Sequence, residues 1–229
     1  MSKRKRNQPS RRPPSRRGSP AADRVVRLIS YQITSEPMED IGPNALPPEV
    51  ESEAERLYHL TNSQPAQAIP ELQSWIERYP DAAKLSNFLC AAYQAIGDEA
   101  NAERVARENY RRHPGYLFAK LNYASFCIQQ GKLDEIPIIF NNKYDLSMLF
   151  PGREVFHISE FVGFMSVMVS YFLAKGDVGQ ARVYYKMLQE VAPDHPATRS
   201  LARRLQGSQF VRALEKALKA LRKDTRRKK

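Results

Sequence analysis

Two kinds of helix-ending residue recur along this chain at the same interval. Gly97 and Gly131 are 34 residues apart, and so are Pro80 and Pro114. An interval of this length is typical of architectures in which one supersecondary unit is stacked repeatedly. The spacing therefore predicts a series of similar units, none of which can bury its apolar face without a neighbour.

The residues around Gly97 predict that this unit is a helical hairpin. Apolar residues before it follow the i, i+3, i+4, i+7 spacing of a helix, namely Leu85, Phe88, Leu89, Ala92, Tyr93 and Ile96. Gly97-Asp98 then breaks the helix, because glycine readily adopts the left-handed conformation of a helix cap. A second helix follows with one buried face, formed by Ala102, Val105, Ala106, Asn109 and Tyr110.

Two segments of the chain resemble the tetratricopeptide repeat. AYQAIGDEANAERVARENYRRHP, which ends at Pro114, is similar to the second half of that repeat, and YFLAKGDVGQARVYYKMLQEVAPDHP, which begins at Tyr171, repeats the pattern. The resemblance extends over residues 49–195 and implies an all-α fold, in which antiparallel helical hairpins stack as a short right-handed solenoid. The implied units are about 49–82, 83–116, 117–161 and 162–195.

The units have physical requirements that can be checked. Ala102 and Ala181 occupy positions where the two helices of a hairpin come closest, so a larger side chain would overpack there. Cys90 takes the small position of a first helix. Gly131 and Gly176 are 45 residues apart, so this interval carries an insertion of 11 residues, which we place within 141–158.

Charge divides the chain into a mildly acidic body and two basic ends. The formal net charge is +11, with +8 in residues 1–24 and +10 in residues 199–229, which leaves −7 for the residues between them. Residues 1–24 form a basic tail rich in Arg, Pro and Ser, whose composition is typical of disorder. Residues 25–48 combine an apolar island with a Pro/Gly linker, and the basic ends predict anionic partners.

Residues 196–229 end the chain with an amphipathic basic segment. Its large apolar residues share one helical face, namely Phe210, Val211, Leu214, Leu218 and Leu221. One interpretation is a helix that caps the end of the repeat stack, followed by a basic tail. The alternative is a helix that binds a membrane surface or a partner.

No motif of the sequence indicates catalysis. Glycine-rich phosphate loops and nucleophile elbows are absent, and the four histidines are scattered without metal-ligand spacing. Cys90 and Cys127 lie on apolar helix positions, which indicates buried, reduced thiols and a cytoplasmic compartment. We therefore expect no enzyme, no cofactor, no metal and no small-molecule substrate. The apolar run 161–174 is too short to cross a bilayer and predicts a core helix.

The resemblance implies that a concave groove, formed by the first helices, holds a protein partner as a peptide or helix. The candidate groove residues are Asn87, Ala91, Gln94, Leu121, Asn122, Ser125, Gln129, Ser166 and Ser170. Relatives that grip the carboxylate end of an acidic peptide use a basic clamp on these helices. Leu121 and Ser166 stand where that charge is expected, so an uncharged or apolar ligand segment suits this groove better.

The basic ends supply a candidate surface for nucleic acid. Its residues are Lys3, Arg4, Lys5, Arg6, Arg11, Arg12, Arg16, Arg17, Arg222, Lys223, Arg226, Arg227, Lys228 and Lys229. Few aromatic residues accompany these charges, so contact with the phosphate backbone is expected to be independent of base sequence. The leading hypothesis is a non-enzymatic adaptor that joins a protein partner to nucleic acid or a nucleoprotein particle. The alternatives are a secretion- or assembly-type chaperone for an apolar client segment and a peripheral membrane adaptor.

Overall fold

The computed structural model of the protein describes residues 31–38 and 46–207. The basic tail at 1–24, most of the 25–48 segment and the apolar face at 210–221 lie outside these residues. The helix content of the described residues confirms the all-α expectation, with one small sheet in addition.

Ten helices and two strands follow one another along the described residues. The first four helices are α1 Pro48–Ser63, α2 Pro65–Arg78, α3 Ala83–Ala95 and α4 Glu99–Arg112. They are followed by α5 Leu117–Gln129, α6 Glu135–Ile139, α7 Leu146–Leu149, α8 Ile158–Ala174 and α9 Val178–Val191. A further helix, α10, occupies residues 196–207. The strands are β1 Gln32–Thr34 and β2 Val155–His157.

Glycines in the left-handed conformation end three of the first helices. Gly97, Gly131 and Gly176 have φ angles of 78°, 72° and 80°, a region that disfavours residues with a β-carbon. Asp98 and Asp177 then begin α4 and α9, because their carboxylates accept hydrogen bonds from the backbone of the first turn. The sequence prediction of tight glycine-acid turns is therefore confirmed at Gly97 and Gly176.

The helices pack largely as successive pairs. α1 packs on α2, α3 on α4, and α8 on α9, while α5 contacts α3, α4 and α8. The first helices α1, α3, α5 and α8 thus form one row, in which each contacts the next. Ala102 and Ala181 are fully buried, as close helix packing requires.

Residues 141–158 interrupt the regular series of helix pairs. They contain α7 and β2, and β2 pairs in parallel with β1, so that Ile33 lies opposite Phe156. Tyr31 packs edge-on against the Phe156 ring, with 4.8 Å between ring centroids. A short apolar part of the chain before α1 is therefore held against this segment.

A capping box joins the end of this segment to α8. The Glu160 carboxylate accepts a hydrogen bond from the His157 amide at 2.9 Å, and the His157 ring accepts one from the Ser159 amide. Arg153 binds both carboxylate oxygens of Glu160, at 2.9 and 2.6 Å. This bidentate pair fixes where α8 starts.

Three details differ from the sequence expectations. α6 has 5 residues, much shorter than the second helix of the other pairs. α8 begins at Ile158, before the unit boundary placed at residue 162. Ile96 was assigned to the buried face of α3, but it is 46% exposed because it lies in the turn.

The apolar run 161–174 forms most of α8 and contributes many buried side chains, as predicted for a core helix. Within residues 31–38 and 46–207, no helix has the length and apolar character needed to cross a bilayer.

Candidate partner-binding face

Most of the predicted groove residues are at least partly exposed on the first helices α3, α5 and α8. Ala91, Gln94 and Gln129 are exposed, and the half-buried members are Asn87, Asn122, Ser125, Ser166 and Ser170. We call this surface of α3, α5 and α8 the first-helix face. Its side chains are uncharged, and four of them, Ala91, Ser125, Ser166 and Ser170, are small.

A pair of amides joins α3 to α5 on the first-helix face. The Asn122 Nδ2 group donates a hydrogen bond to Asn87 Oδ1 at 2.5 Å. This bond uses one acceptor of Asn87 and one donor of Asn122. Each amide has further hydrogen-bonding capacity, so the pair can both brace the helices and bind the backbone of an extended ligand.

The serines of the face are arranged differently. Ser125 donates to the Leu121 carbonyl oxygen at 2.8 Å, a bond within its own helix. Ser170 accepts a hydrogen bond from Arg204 Nη1 at 2.9 Å, which joins α8 to α10. Ser166 Oγ is buried and lacks a hydrogen-bond partner within the described part of the chain. The polar groups best placed for a ligand are therefore the Asn87–Asn122 pair with Gln94 and Gln129.

Leu121 does not belong to the face, contrary to the sequence prediction. It is 4% exposed, and its Cδ1 atom lies 2.8 Å from the position that a β-carbon would take on Gly163. The side chain therefore packs between α5 and α8. A residue at this position cannot contact a ligand on the surface.

Lys120, next to Leu121, is also removed from solvent. It is 7% exposed, and its Nζ atom donates a hydrogen bond to the carbonyl oxygen of Ile139 at 2.7 Å. Burial, and then the charge of Lys143, lower the pKa of Lys120 from its usual value. The ammonium group caps the last turn of α6, so it adds no positive charge to the first-helix face.

Tyr58 is a surface residue that the sequence prediction omitted. It lies on α1, is 50% exposed, and its ring centroid is 5.6 Å from that of Phe88 on α3. The first unit has no glycine at its turn, so the sequence alone did not indicate which residues of its first helix face outward. The aromatic side chain adds an apolar contact beside α3.

Both cysteines are free and buried. The Cys90 thiol donates to the Ala102 carbonyl oxygen at 3.5 Å, across the α3–α4 pair. Burial, helped by the charge of Glu99, raises the pKa of Cys90 to about 12. Because the thiolate is the reactive form, Cys90 is suited to packing and not to nucleophilic chemistry.

No protein-family model, no curated protein and no solved structure matches the chain. The function must therefore be argued from the first-helix face and the distribution of charge. The predicted nucleic-acid residues at 3–17 and 222–229 lie outside the part of the chain that the structure describes.

Proposed function

We propose that the protein is a non-enzymatic adaptor of the tetratricopeptide type, whose first-helix face binds an extended segment of a partner protein. The observation that carries the proposal is the Asn87–Asn122 hydrogen bond, which sets two amides side by side on neighbouring helices. Amides serve both as donors and as acceptors, which suits the alternating groups of a peptide backbone.

The chemistry of the face favours an uncharged ligand segment. Ala91, Ser125 and Ser170 are small, so a ligand backbone can approach the helices closely. Lys120 is turned into the interior, where it binds the Ile139 carbonyl oxygen. A ligand carboxylate would therefore gain no ion pair from Lys120, whereas apolar and amide groups would meet complementary surface.

The basic ends give the adaptor its second partner in this proposal. With +8 in residues 1–24 and +10 in residues 199–229, they supply the charge needed to contact a nucleic-acid backbone and to release its counterions. The adaptor would thereby bring the bound protein segment to nucleic acid or a nucleoprotein particle.

A pair of charge-introducing variants tests the face. Ala91→Glu combined with Gln129→Glu places carboxylates on exposed positions of α3 and α5. The matched control, Ala100→Glu with Gln189→Glu, makes the same substitutions on exposed positions of α4 and α9. Partner capture from lysate by the tagged full-length protein is measured in low and high salt, with and without nuclease.

We expect the face variant to lose its protein partner while the control keeps it, with equal helicity and melting temperature in both. Proteins that are released only by nuclease are held through nucleic acid and not by the first-helix face. Capture of the same partner by a folded face variant would refute the first-helix face as the binding site. The 141–158 segment would then be the next surface to test.

A further inference from the structure

The row of first helices extends to α10. Arg204 Nη1 on α10 donates to Ser170 Oγ on α8 at 2.9 Å, and these residues are 34 positions apart. The bonded amides of Asn87 on α3 and Asn122 on α5 are 35 positions apart. Since the two intervals are nearly equal, α10 follows α8 in the row as α5 follows α3. The first-helix face is therefore flanked by α1 on one side and by α10 on the other.

The two flanking helices carry opposite charges. α1 has one arginine and four glutamates, so its net charge is −3; the glutamates are Glu49, Glu51, Glu53 and Glu55. α10 has three exposed arginines and no acidic residue, so its net charge is +3; the arginines are Arg199, Arg203 and Arg204. A ligand that lies along the row therefore meets negative charge at one end and positive charge at the other.

The helices between these ends present no exposed charge. α3, α5 and α8 each contain one charged residue, namely Lys84, Lys120 and Glu160, and none of the three is exposed. Lys120 binds the carbonyl oxygen of Ile139, and Glu160 is bound by Arg153. The exposed charge of the row is therefore confined to α1 and α10.

Two carboxylates of α1 lie on the side that borders the first-helix face. The Tyr58 ring centroid is 5.6 Å from that of a phenylalanine on α3, so the side of α1 that carries Tyr58 is next to α3. Glu55 and Glu51 lie three and seven positions before Tyr58, on the same side of the helix, and both are exposed. Arg56 lies on another side, where it binds a glutamate of α2 at 2.6 Å. It therefore does not neutralise these two carboxylates.

We propose that the charged ends select and orient the partner segment, so that its basic residues lie on α1 and its acidic residues lie on α10. Glu51 and Glu55 pair with the basic side chains, and the exposed Tyr58 ring adds a cation–π contact. Arg203 and Arg204 pair with the carboxylates. The reversed orientation sets like charges against each other, which is strongly unfavourable. The proposal rests on the proposed function and adds to it the charge pattern of the ligand.

The row also fixes the length of the bound segment. Four steps lead from α1 through α3, α5 and α8 to α10. Neighbouring helix axes are about 8–10 Å apart, so the row spans about 32–40 Å. An extended chain rises about 3.3 Å per residue, so about 10–12 residues reach from one end to the other. The basic and acidic groups of the ligand are therefore separated by a largely uncharged stretch of about this length.

Selection of displayed random peptides by the full-length protein tests the proposal. Peptides of about 16 residues exceed the span of the row. Every variant reverses two exposed charges. The test variants are Glu51→Lys with Glu55→Lys on α1 and Arg203→Glu with Arg204→Glu on α10. The matched controls, on second helices, are Glu99→Lys with Glu108→Lys on α4 and Arg182→Glu with Lys186→Glu on α9. Melting temperature is measured for each protein.

We expect the intact protein and the controls to enrich peptides that have basic residues toward one end and acidic residues toward the other. The α1 variant should lose the basic preference and keep the acidic one, and the α10 variant should do the reverse. A peptide selected by the intact protein should bind either test variant at least about tenfold more weakly. Because the two ends are tested separately, one folded test variant is sufficient.

Enriched peptides without this charge pattern would overturn the proposal, and so would a pattern that a folded test variant retains. The proposed function would survive either result if Ala91→Glu with Gln129→Glu still abolished peptide binding. Enrichment of no peptide by the intact protein would instead refute the first-helix face as a binding site, and the proposal with it. A dimer of the intact protein in sedimentation that both test variants abolish would assign the charged ends to a second copy, and would also overturn the proposal.

Discussion

Leu121 Cδ1 lies 2.8 Å from the point where a β-carbon would stand on Gly163, so α5 and α8 approach each other at a residue without a side chain. Gly163 is helical, where alanine is intrinsically favoured by about 1 kcal/mol. The Leu121 methyl group occupies the space that a β-carbon would take, which accounts for glycine at this position.

Replacing Gly163 with Ala should stabilise by less than the roughly 1 kcal/mol that helix propensity alone gives, because the new β-carbon must displace the Leu121 methyl group. In a Leu121→Ala background the added methyl group has room, so the same change should stabilise by up to about 1 kcal/mol relative to that background. Denaturant unfolding of the four proteins gives the coupling energy. An equal effect of Gly163→Ala in both backgrounds would contradict the contact.

The Asn87–Asn122 bond predicts a modest coupling between α3 and α5. Asn87→Ala and Asn122→Ala should each cost about 0.5–1.5 kcal/mol, the usual net worth of a hydrogen bond between neutral groups. The double variant should cost less than the sum of the two, because either change already removes the bond. Strictly additive losses in thermal or denaturant melts would show that the bond contributes nothing in solution.

Cys90 predicts a loss of stability at high pH. Its pKa rises from an ordinary 9.0 to about 12 in the folded protein, so the folded state keeps a proton that the unfolded state releases. Stability should therefore fall as pH rises above about 9, with Cys90 contributing to the slope up to about pH 12. Cys90→Ala should flatten the slope above about pH 9 in denaturant melts. An unchanged slope would contradict the burial of the thiol.

The helical hairpins could be predicted from the sequence because their determinants are local. Gly97 and Gly176 stop one helix, and the aspartate after each begins the next, so the turn depends on adjacent residues. The apolar spacing of α4 likewise identified a buried face that includes Ala102 and Asn109. These features need no knowledge of distant contacts.

The rest of the fold and of the candidate site depends on long-range contacts, which the spacing of residues along the sequence does not reveal. The pairing of Ile33 with Phe156 joins residues from opposite halves of the chain, and neither three-residue strand has a strong local signal. Leu121 was placed on the first-helix face because its position in the repeat suggested exposure, whereas Gly163 leaves the space that buries it. Lys120 is a charged residue within a largely apolar helix, which is a weak indication that its side chain has a specific partner. The sequence does not identify that partner, because it is the backbone carbonyl group of Ile139.

Asp98 predicts a loss of stability in acid. Its carboxylate accepts hydrogen bonds from the side chain and the backbone of Asn101, and these bonds lower its pKa below the ordinary 3.8. The resulting stability is present above pH 3.8 and is lost as pH falls through the lower pKa of the folded state. Asp98→Asn keeps a good helix cap but removes the titration. Acid unfolding curves of the two proteins should therefore differ in steepness, and identical curves would contradict the prediction.

The basic ends predict a strong dependence of nucleic-acid affinity on salt. Each neutralised phosphate contributes about −0.9 to the slope of log K against log salt on duplex DNA and about −0.7 on single strands. If about six of the charges engage, the slope should be about −4 to −5 on polynucleotides of any sequence. Fluorescence anisotropy over a salt series measures it.

Removing residues 1–24 should flatten this slope, and so should replacing Arg222, Lys223, Arg226, Arg227, Lys228 and Lys229 with Gln. Each basic residue removed from the contact lowers the number of released counterions by about one. The change in slope therefore reports how many residues of that end contact the nucleic acid. A variant with Ser at Phe210, Leu214, Leu218 and Leu221 keeps these charges and should keep the slope. A slope near zero for the intact protein would show that the basic ends do not bind nucleic acid, and would favour a chaperone for apolar client segments.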